Sequence, residues 1–215
     1  SANVMLYNKI ETIYVRDVDG TKKLIEGRFR NPMIEYLKDN DWIWTEKIDG
    51  TNIRVIWDGH NITFGGRTER AQIPAHLVNF LNNKFMNNET EELFEQVFGD
   101  KEVVLFGEGY GPKIQNGEEY RDDVSFIMFD VAINGLYQEW DNMKDIAKMF
   151  DVDTVPVITV GNVNKAVEYV KQHPKSNFGT AYMEGLVGRL SVDMYDRKGN
   201  RAIVKVKWND VKELM

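Results

Sequence analysis

The segment Thr45-Glu46-Lys47-Ile48-Asp49-Gly50-Thr51-Asn52 places a lysine at the end of one apolar run and a glycine turn before the next. A lysine amine is a nucleophile only when neutral, and near its ordinary pKa of ~10.4 almost none is neutral at pH 7. A mostly buried position near other cations would supply the needed shift. The same residues also describe a hairpin carrying a surface lysine, and a bare Lys-x-Asp-Gly arises by chance in roughly one chain in twenty of this length. Alone, the segment decides nothing.

Four further segments carry polar groups where ligands are commonly met. Val103 to Gly111 is an apolar strand ending in Glu108, set between Gly107 and Gly109. Glycines permit close approach to the backbone, and the carboxylate could accept hydrogen bonds from ribose hydroxyls. A plain strand ending in a glycine turn fits equally well. Phe126 to Val131 is an apolar run interrupted by Asp130, which must be hydrogen-bonded or face a cavity; Phe129 beside it could stack on a base or pack in a core. Met183 to Arg189 puts Glu184 where a strand begins. Ala202 to Trp208 alternates so that Lys205 and Lys207 share one face, opposite Val204 and Val206. Two like charges on one face repel unless an anion lies between them, so a phosphate suits the pair, as does a solvated outer face.

The elements that would position these groups follow from periodicity. Two-residue alternation predicts strands near 42–47, 52–57, 103–108, 124–132, 155–160, 184–190 and 202–208, with turns at Asp58-Gly59, Asn134-Gly135 and Lys198-Gly199-Asn200. Three- and four-residue spacing predicts helices over 74–82, 90–98, 141–150 and 162–172. The class is α+β with an antiparallel-leaning sheet system.

Composition bounds the chemistry. The 215 residues, 42% hydrophobic, suffice for a sizeable core. No apolar run approaches the ~20 residues of a membrane span, and the N-terminus lacks the layout of a secretory signal, so a soluble, cytoplasmic protein without a membrane partner is expected. Ser1-Ala2-Asn3 reads as a tag-cleavage scar. With no cysteine and only His60, His76 and His173, thiolate and histidine-built metal sites are disfavoured; a hard cation on carboxylates and phosphates is the expected metal. A net charge of −7, with acidic runs at 89–95 and 118–123, argues against non-specific coating of nucleic acid but leaves room for a local basic groove.

Taken in order, Lys47 with Asp49-Gly50, an arginine after a strand, Phe106-Gly107-Glu108, Phe129-Asp130, Glu184-Gly185-x-Val187 and Lys205-x-Lys207 resemble the covalent lysine nucleotidyltransferase superfamily of DNA ligases, RNA ligases and mRNA capping enzymes. The resemblance spans Glu46 to Lys207. Glu46-Lys47-Ile48-x-Gly50-Thr51-Asn52, Phe106-Gly107-Glu108 running into Gly111-Pro112-x-Ile114-Gln115, and Phe129-Asp130 look most like the phage-type RNA ligase 2 family. Asn52 supports that choice, since DNA ligases and capping enzymes typically carry arginine there. Asp49 and Arg189 depart from it, standing where the nearest RNA ligases often have histidine and commonly lysine.

The resemblance implies a nucleotidyltransferase (adenylylation) domain of the ATP-grasp-like ligase type, in which antiparallel sheets flanked by helices form a central ATP cleft. It implies that Lys47 takes AMP from ATP and passes it to an RNA 5′-phosphate, which an RNA 3′-hydroxyl then attacks. By the same analogy Lys205 and Lys207 bind the α-phosphate, Glu108 the ribose and Phe129 the adenine face, while the backbone at Glu46 and Ile48 reads the adenine edge. Glu184 with phosphate oxygens would hold Mg²⁺ or Mn²⁺. Asn52 and Arg67 line the nucleotide site and, with Gln115, position the RNA ends. The partners implied are RNA ends in a nicked duplex, handled by a monomer in a bacterial or phage-infected cell.

Other readings share most of these motifs. A DNA ligase or guanylyltransferase core would normally continue into an oligonucleotide-binding fold, whereas this chain stops shortly after Lys207; a non-catalytic nucleotide- or RNA-end-binding module is the other alternative. Relatives of the resembled family carry a C-terminal domain beyond the Lys-x-Lys strand, so residues 1–215 are expected to form one adenylylation domain without it, charging itself well and sealing poorly.

Overall fold

A computed structural model describes residues 4–215; the supposed scar at residues 1–3 lies outside the described residues. In chain order the strands and helices are β1 (Glu11–Thr12), β2 (Tyr14–Arg16), β3 (Leu24–Phe29), α1 (Pro32–Tyr36), β4 (Trp42–Glu46), β5 (Thr51–Trp57), β6 (Ile62–Gly65), α2 (Ala75–Phe85), α3 (Asn88–Phe98), β7 (Val103–Tyr110), β8 (Ser125–Ile133), β9 (Leu136–Tyr137), α4 (Trp140–Met149), β10 (Asp153–Thr154), β11 (Val157–Gly161), α5 (Val163–Lys171), β12 (Gly185–Arg189), β13 (Ile203–Lys207) and α6 (Trp208–Val211). They form two compact units. One comprises Asp49–Thr154 with the segment ending at Asn8; the other comprises Lys9–Ile48 and Val155–Met215.

The discontinuous unit is built on a five-stranded sheet in the order β1-β13-β12-β4-β11, antiparallel except for the β1–β13 pair. Alternation sends Trp42, Trp44, Leu186, Val204 and Val206 into one core with Val163, Ala166, Val167 and Val170, the apolar stripe of α5. Both indoles are satisfied: Trp42 Nε1 donates to the Leu37 carbonyl at 2.9 Å and Trp44 Nε1 to the Gly161 carbonyl at 3.0 Å. Gly188 is required here, because a Cβ on it would lie 2.3 Å from the Trp44 ring.

The continuous unit is a six-stranded sheet, β10-β8-β7-β5-β6 with β9 on β8, antiparallel except for β10–β8. Near α3 its aromatic packing includes Trp57 stacked on Phe94 at 5.5 Å and Phe94 against Phe150 at 4.3 Å. A smaller cluster of Ile56, Val104, Phe106 and Ala132 is covered by Val4, Met5, Tyr7, Phe129 and Tyr137.

All seven expected strands and four expected helices are present within a few residues of their expected bounds. The mixed, antiparallel-leaning class holds, with two parallel pairs that alternation could not reveal. Strands β1, β2, β3, β6, β9 and β10 and helices α1 and α6 were not anticipated. In β3 only Leu24 is fully buried, so no apolar alternation marks it. Asp58-Gly59 joins β5 to β6 and Asn134-Gly135 joins β8 to β9, with Gly59, Asn134 and Gly135 all at positive φ.

Candidate active site

In the discontinuous unit, β4, β12 and β13 lie side by side. The register sets Thr45 opposite Val187 and Val187 opposite Lys205, while Gly185 faces Lys207. Lys47 follows directly on β4, and its N–H donates to the Gly185 carbonyl at 2.9 Å, so alternation carries its side chain to the face of Thr45, Lys205 and Lys207. Val204 and Val206 are buried and the two lysines between and after them half-buried, as the alternating pattern requires. Gly185 lets the strands close up: a Cβ there would sit 2.2 Å from the Val206 carbonyl oxygen.

Lys47 Nζ lies 3.2 Å from Glu184 Oε1, with 25% and 20% of the two side chains exposed. The second oxygen, Glu184 Oε2, is buried and meets no donor. A buried carboxylate oxygen without a partner is costly, and a cation is the group that would satisfy it. Among the described residues no group of three or more His, Asp or Glu is placed to hold a metal. Glu184 therefore fits as one ligand of a hard cation whose remaining ligands come from elsewhere.

Glu46 points the other way, into the core face, and is 1% exposed. Its carboxylate accepts from Ser176 Oγ at 2.5 Å, Asn177 N at 3.0 Å and Asn177 Nδ2 at 3.1 Å, and its N–H donates to the Pro156 carbonyl at 3.0 Å. The side chain thus pins the 176–177 turn. Ile48, next to Lys47, is buried. Arg189 is 2% exposed and lies near Asp193 Oδ1 at 3.7 Å, as does Arg201 near Asp193 Oδ2 at 3.6 Å.

In the continuous unit, Asn52 sits opposite Glu108 across β5–β7, and Arg54 opposite Phe106. A bulge in β8 sets Phe129 at a register shift between Asp130, which faces Phe106, and Met128, which faces Gly107. The bulge re-aims the Phe129 ring onto the Phe106 side, where it packs edge-on to Tyr7 at 5.0 Å. Asn52, Glu108 and Phe129 thereby share one sheet face. Asn52 Oδ1 is buried and meets no donor. Asp130, wholly buried, accepts from Tyr7 O–H at 2.8 Å and Val131 N at 3.0 Å, as a buried aspartate must. Gly50 has no room for a side chain: a Cβ would meet the Gly109 carbonyl oxygen at 2.2 Å.

Arg67 follows β6 and is exposed; the buried Arg54 braces its loop by donating from Nε to the Gly66 carbonyl at 2.9 Å. Burial lowers the Arg54 pKa. Gln115 is exposed, at φ 52°, in a turn bordered by a hydrogen bond from His76 Nε2 to the Pro112 carbonyl at 3.0 Å. Sequence reasoning missed Ser176, Asn177, Arg54 and Tyr7. Their partners are 130, 131, 12 and 123 positions away, beyond the reach of any local pattern. Each unit thus gathers part of the expected set: Lys47, Lys205 and Lys207 on one sheet face of the discontinuous unit with Glu184 beside the Lys47 amine, and Asn52, Glu108 and Phe129 on one face of the other.

Comparison with curated proteins finds no match. Among solved structures, the chain is similar to Naegleria gruberi RNA ligase with PPi, at 22% identity and TM-score 0.64, covering 85% of this chain and 54% of that one. A mutant of the same ligase with AMP and Mn matches at 21% identity and TM-score 0.64, covering 86% and 54%; another with ATP and Mn matches at 21% and TM-score 0.63, covering 83% and 52%. These likenesses concern the fold, and the chain spans about half the length of the structures it matches. The family model described as RNA ligase matches residues 40–207, a span that holds every site residue expected from the sequence. By that match over most of its length, the chain belongs to the RNA ligase family.

Proposed function

We propose that this chain carries the adenylylating domain of an ATP-dependent RNA ligase and that Lys47 is its nucleophile. The observation that supports this most directly is the placement of Lys47, Lys205 and Lys207 on one face of three adjacent strands, with Glu184 at 3.2 Å from the Lys47 amine. Three cations converging beside one partly unsatisfied carboxylate suit a phosphate ester and a metal better than they suit water.

The Lys47–Glu184 ion pair must open before the amine can reach phosphorus. The neutral Nζ then attacks the α-phosphorus of ATP; a P–N bond forms, the bond to the β-phosphate oxygen breaks, pyrophosphate leaves and the amine proton is lost. Lys205 and Lys207 stabilise the charge that grows on the α-phosphate oxygens. A Mg²⁺ or Mn²⁺ ion on Glu184 would withdraw further charge from the same phosphate. Glu108 binds the ribose, Phe129 the adenine face, and the backbone at Glu46 and Ile48 its edge. An oxygen of an RNA 5′-phosphate next displaces Lys47 from the AMP phosphorus. An RNA 3′-hydroxyl finally attacks the activated 5′-phosphate, and AMP departs as the phosphodiester forms. Asn52, Arg67 and Gln115 hold the RNA ends during these two steps, where positioning dominates the rate.

Asn52, five residues after Lys47, favours the phage-type RNA ligase 2 branch of the family and hence nicked duplex RNA as substrate. No described helix is long and apolar enough to cross a membrane; a monomer acting in the cytoplasm of a bacterial or phage-infected cell completes the proposal. Intact-protein mass spectrometry after incubation with ATP and Mg²⁺ tests it. One AMP should add to the wild type and none to Lys47→Ala. An adduct that persists in the variant, or one that forms equally with GTP, overturns the assignment.

A further inference from the structure

Beside Glu184 lies a stack of rings that the reaction above does not use. His173 is sandwiched between Trp208, at 4.0 Å and 7° from parallel, and Tyr182, at 4.2 Å and 18°. Lys175 Nζ stands 4.8 Å from the centre of the Tyr182 ring. Tyr182 is 52% exposed although its neighbours Ala181 and Met183 are buried. An aromatic ring held so rigidly yet left so open invites a ligand.

The segment that carries it is fixed from three sides. Met183 N donates to the Pro174 carbonyl and Ser176 N to the Ala181 carbonyl, each at 2.9 Å, closing 174–183 into a bridged loop. Lys175 pairs with Tyr182 across that bridge. Glu46 pins the loop tip through Ser176 and Asn177. Trp208 N donates to the Glu184 carbonyl at 2.9 Å, so the base of the stack is tied to the residues that carry Glu184 and Lys207. The result is a preorganised ladder of near-parallel rings with centroids 4.0 and 4.2 Å apart, ending in an exposed tyrosine beside an ammonium group.

We propose that Tyr182 is a stacking platform for a base of the RNA strand, and that Lys175 moves from the ring to the adjoining backbone phosphate. A nucleobase offers a π-face to Tyr182 whatever its identity, and the strand's phosphate offers Lys175 a counter-charge; sequence-tolerant single-strand binding uses this pairing of aromatic and cation. The inference rests on the RNA ligase reading and adds to it the surface that receives the substrate.

The test is equilibrium binding of a fluorescein-labelled RNA, single-stranded or as a nicked duplex with a 5′-phosphate, to the full chain and to Tyr182→Ala, Tyr182→Phe and Lys175→Ala, with ATP-driven adenylylation measured in parallel. Tyr182→Ala should bind RNA about 5- to 100-fold more weakly, the range of one lost base stack. Tyr182→Phe should bind as the wild type does, because the ring face is retained. Lys175→Ala should lower the slope of log affinity against log salt by about one, the signature of one lost phosphate contact. Adenylylation should be unchanged in all three. Wild-type affinity in Tyr182→Ala, equal losses in the Phe and Ala variants, or no RNA binding by an adenylylating wild type would each overturn the platform. Stack-dependent RNA binding by a chain that never takes up AMP would keep the platform and remove the ligase reading instead.

Discussion

Replacing Asn52 with leucine should make the protein more stable and less active. Asn52 Oδ1 is buried without a donor, and such an atom costs about 1–3 kcal/mol. The residue as a whole is half-buried, which argues for the lower part of that range, about 1–2 kcal/mol. Leucine nearly matches asparagine in shape and brings no polar atom, so Asn52→Leu removes the penalty without opening a cavity. In a chain of this size each kcal/mol moves the unfolding midpoint by about 2–4 °C, which gives a rise of roughly 2–8 °C. The same energy withheld from the ligand whose donor Oδ1 awaits should weaken its binding by a factor of about 5–30. Differential scanning calorimetry measures the first effect. The second is read by repeating the scans with ATP and Mn²⁺, and separately with a nicked RNA duplex; the ligand whose stabilising shift shrinks in the variant is the one Asn52 touches. A lower midpoint in Asn52→Leu, or undiminished shifts with both ligands, would refute the reasoning.

Changing Lys205 or Lys207 to alanine removes a cation from the face that Lys47 occupies and should slow single-turnover adenylylation by about 100-fold or more, the effect of losing about 3 kcal/mol of charge stabilisation; wild-type rates would mean that the pair is a solvated surface. Gly188→Ala would push a Cβ to 2.3 Å from the buried Trp44 ring and should destabilise by about 1–3 kcal/mol in denaturant melts; an unchanged melt would show that the ring can give way. The Asp58 carboxyl accepts from Asn61 N and His60 N at 2.7 and 2.8 Å, which holds its pKa below the ordinary 3.8. A depressed folded-state pKa contributes stability above the unfolded value and loses it as pH falls through the folded one. The wild type should therefore melt above Asp58→Asn at neutral pH, with the gap closing as pH drops below 3.8; a gap that persists there would contradict this.

How much was legible in the sequence depended on the range of the interaction. Val204, Lys205, Val206 and Lys207 announce their own alternation, and the structure buries the valines as that pattern demands. Helix α5 is equally plain, because Val163, Ala166, Val167 and Val170 repeat at helical spacing behind the Asn162 cap, whose side chain accepts from Lys165 N. The strand β3, Leu24-Ile25-Glu26-Gly27-Arg28-Phe29, hides because its exposure pattern has no period. The Phe129 bulge is a property of register between two strands, and neither strand read singly can reveal it. Glu46 is the sharpest case: the resemblance concerned its backbone alone, and that its carboxylate is committed to Ser176 and Asn177 only the three-dimensional fold could expose. The site residues themselves came from their order along the chain, which individual segments could not have supplied.

The nesting of one unit inside the other bears on how the protein assembles as it leaves the ribosome. Residues 49–154 form an uninterrupted stretch and can acquire their sheet once synthesised. The sheet that carries Lys47 cannot, since β4 waits for β11 and β12, and β1 pairs Thr12 with Lys205 only once residue 205 has emerged. Pairings of such long sequence separation are slow to form, because loop closure must precede any gain from the contact. The strand that presents the lysine, rich in tryptophan and needing partners on both edges, therefore spends a long time unpaired. It is a segment exposed to misassembly in the nascent chain, and the proposed adenylylation must wait for its capture between β11 and β12.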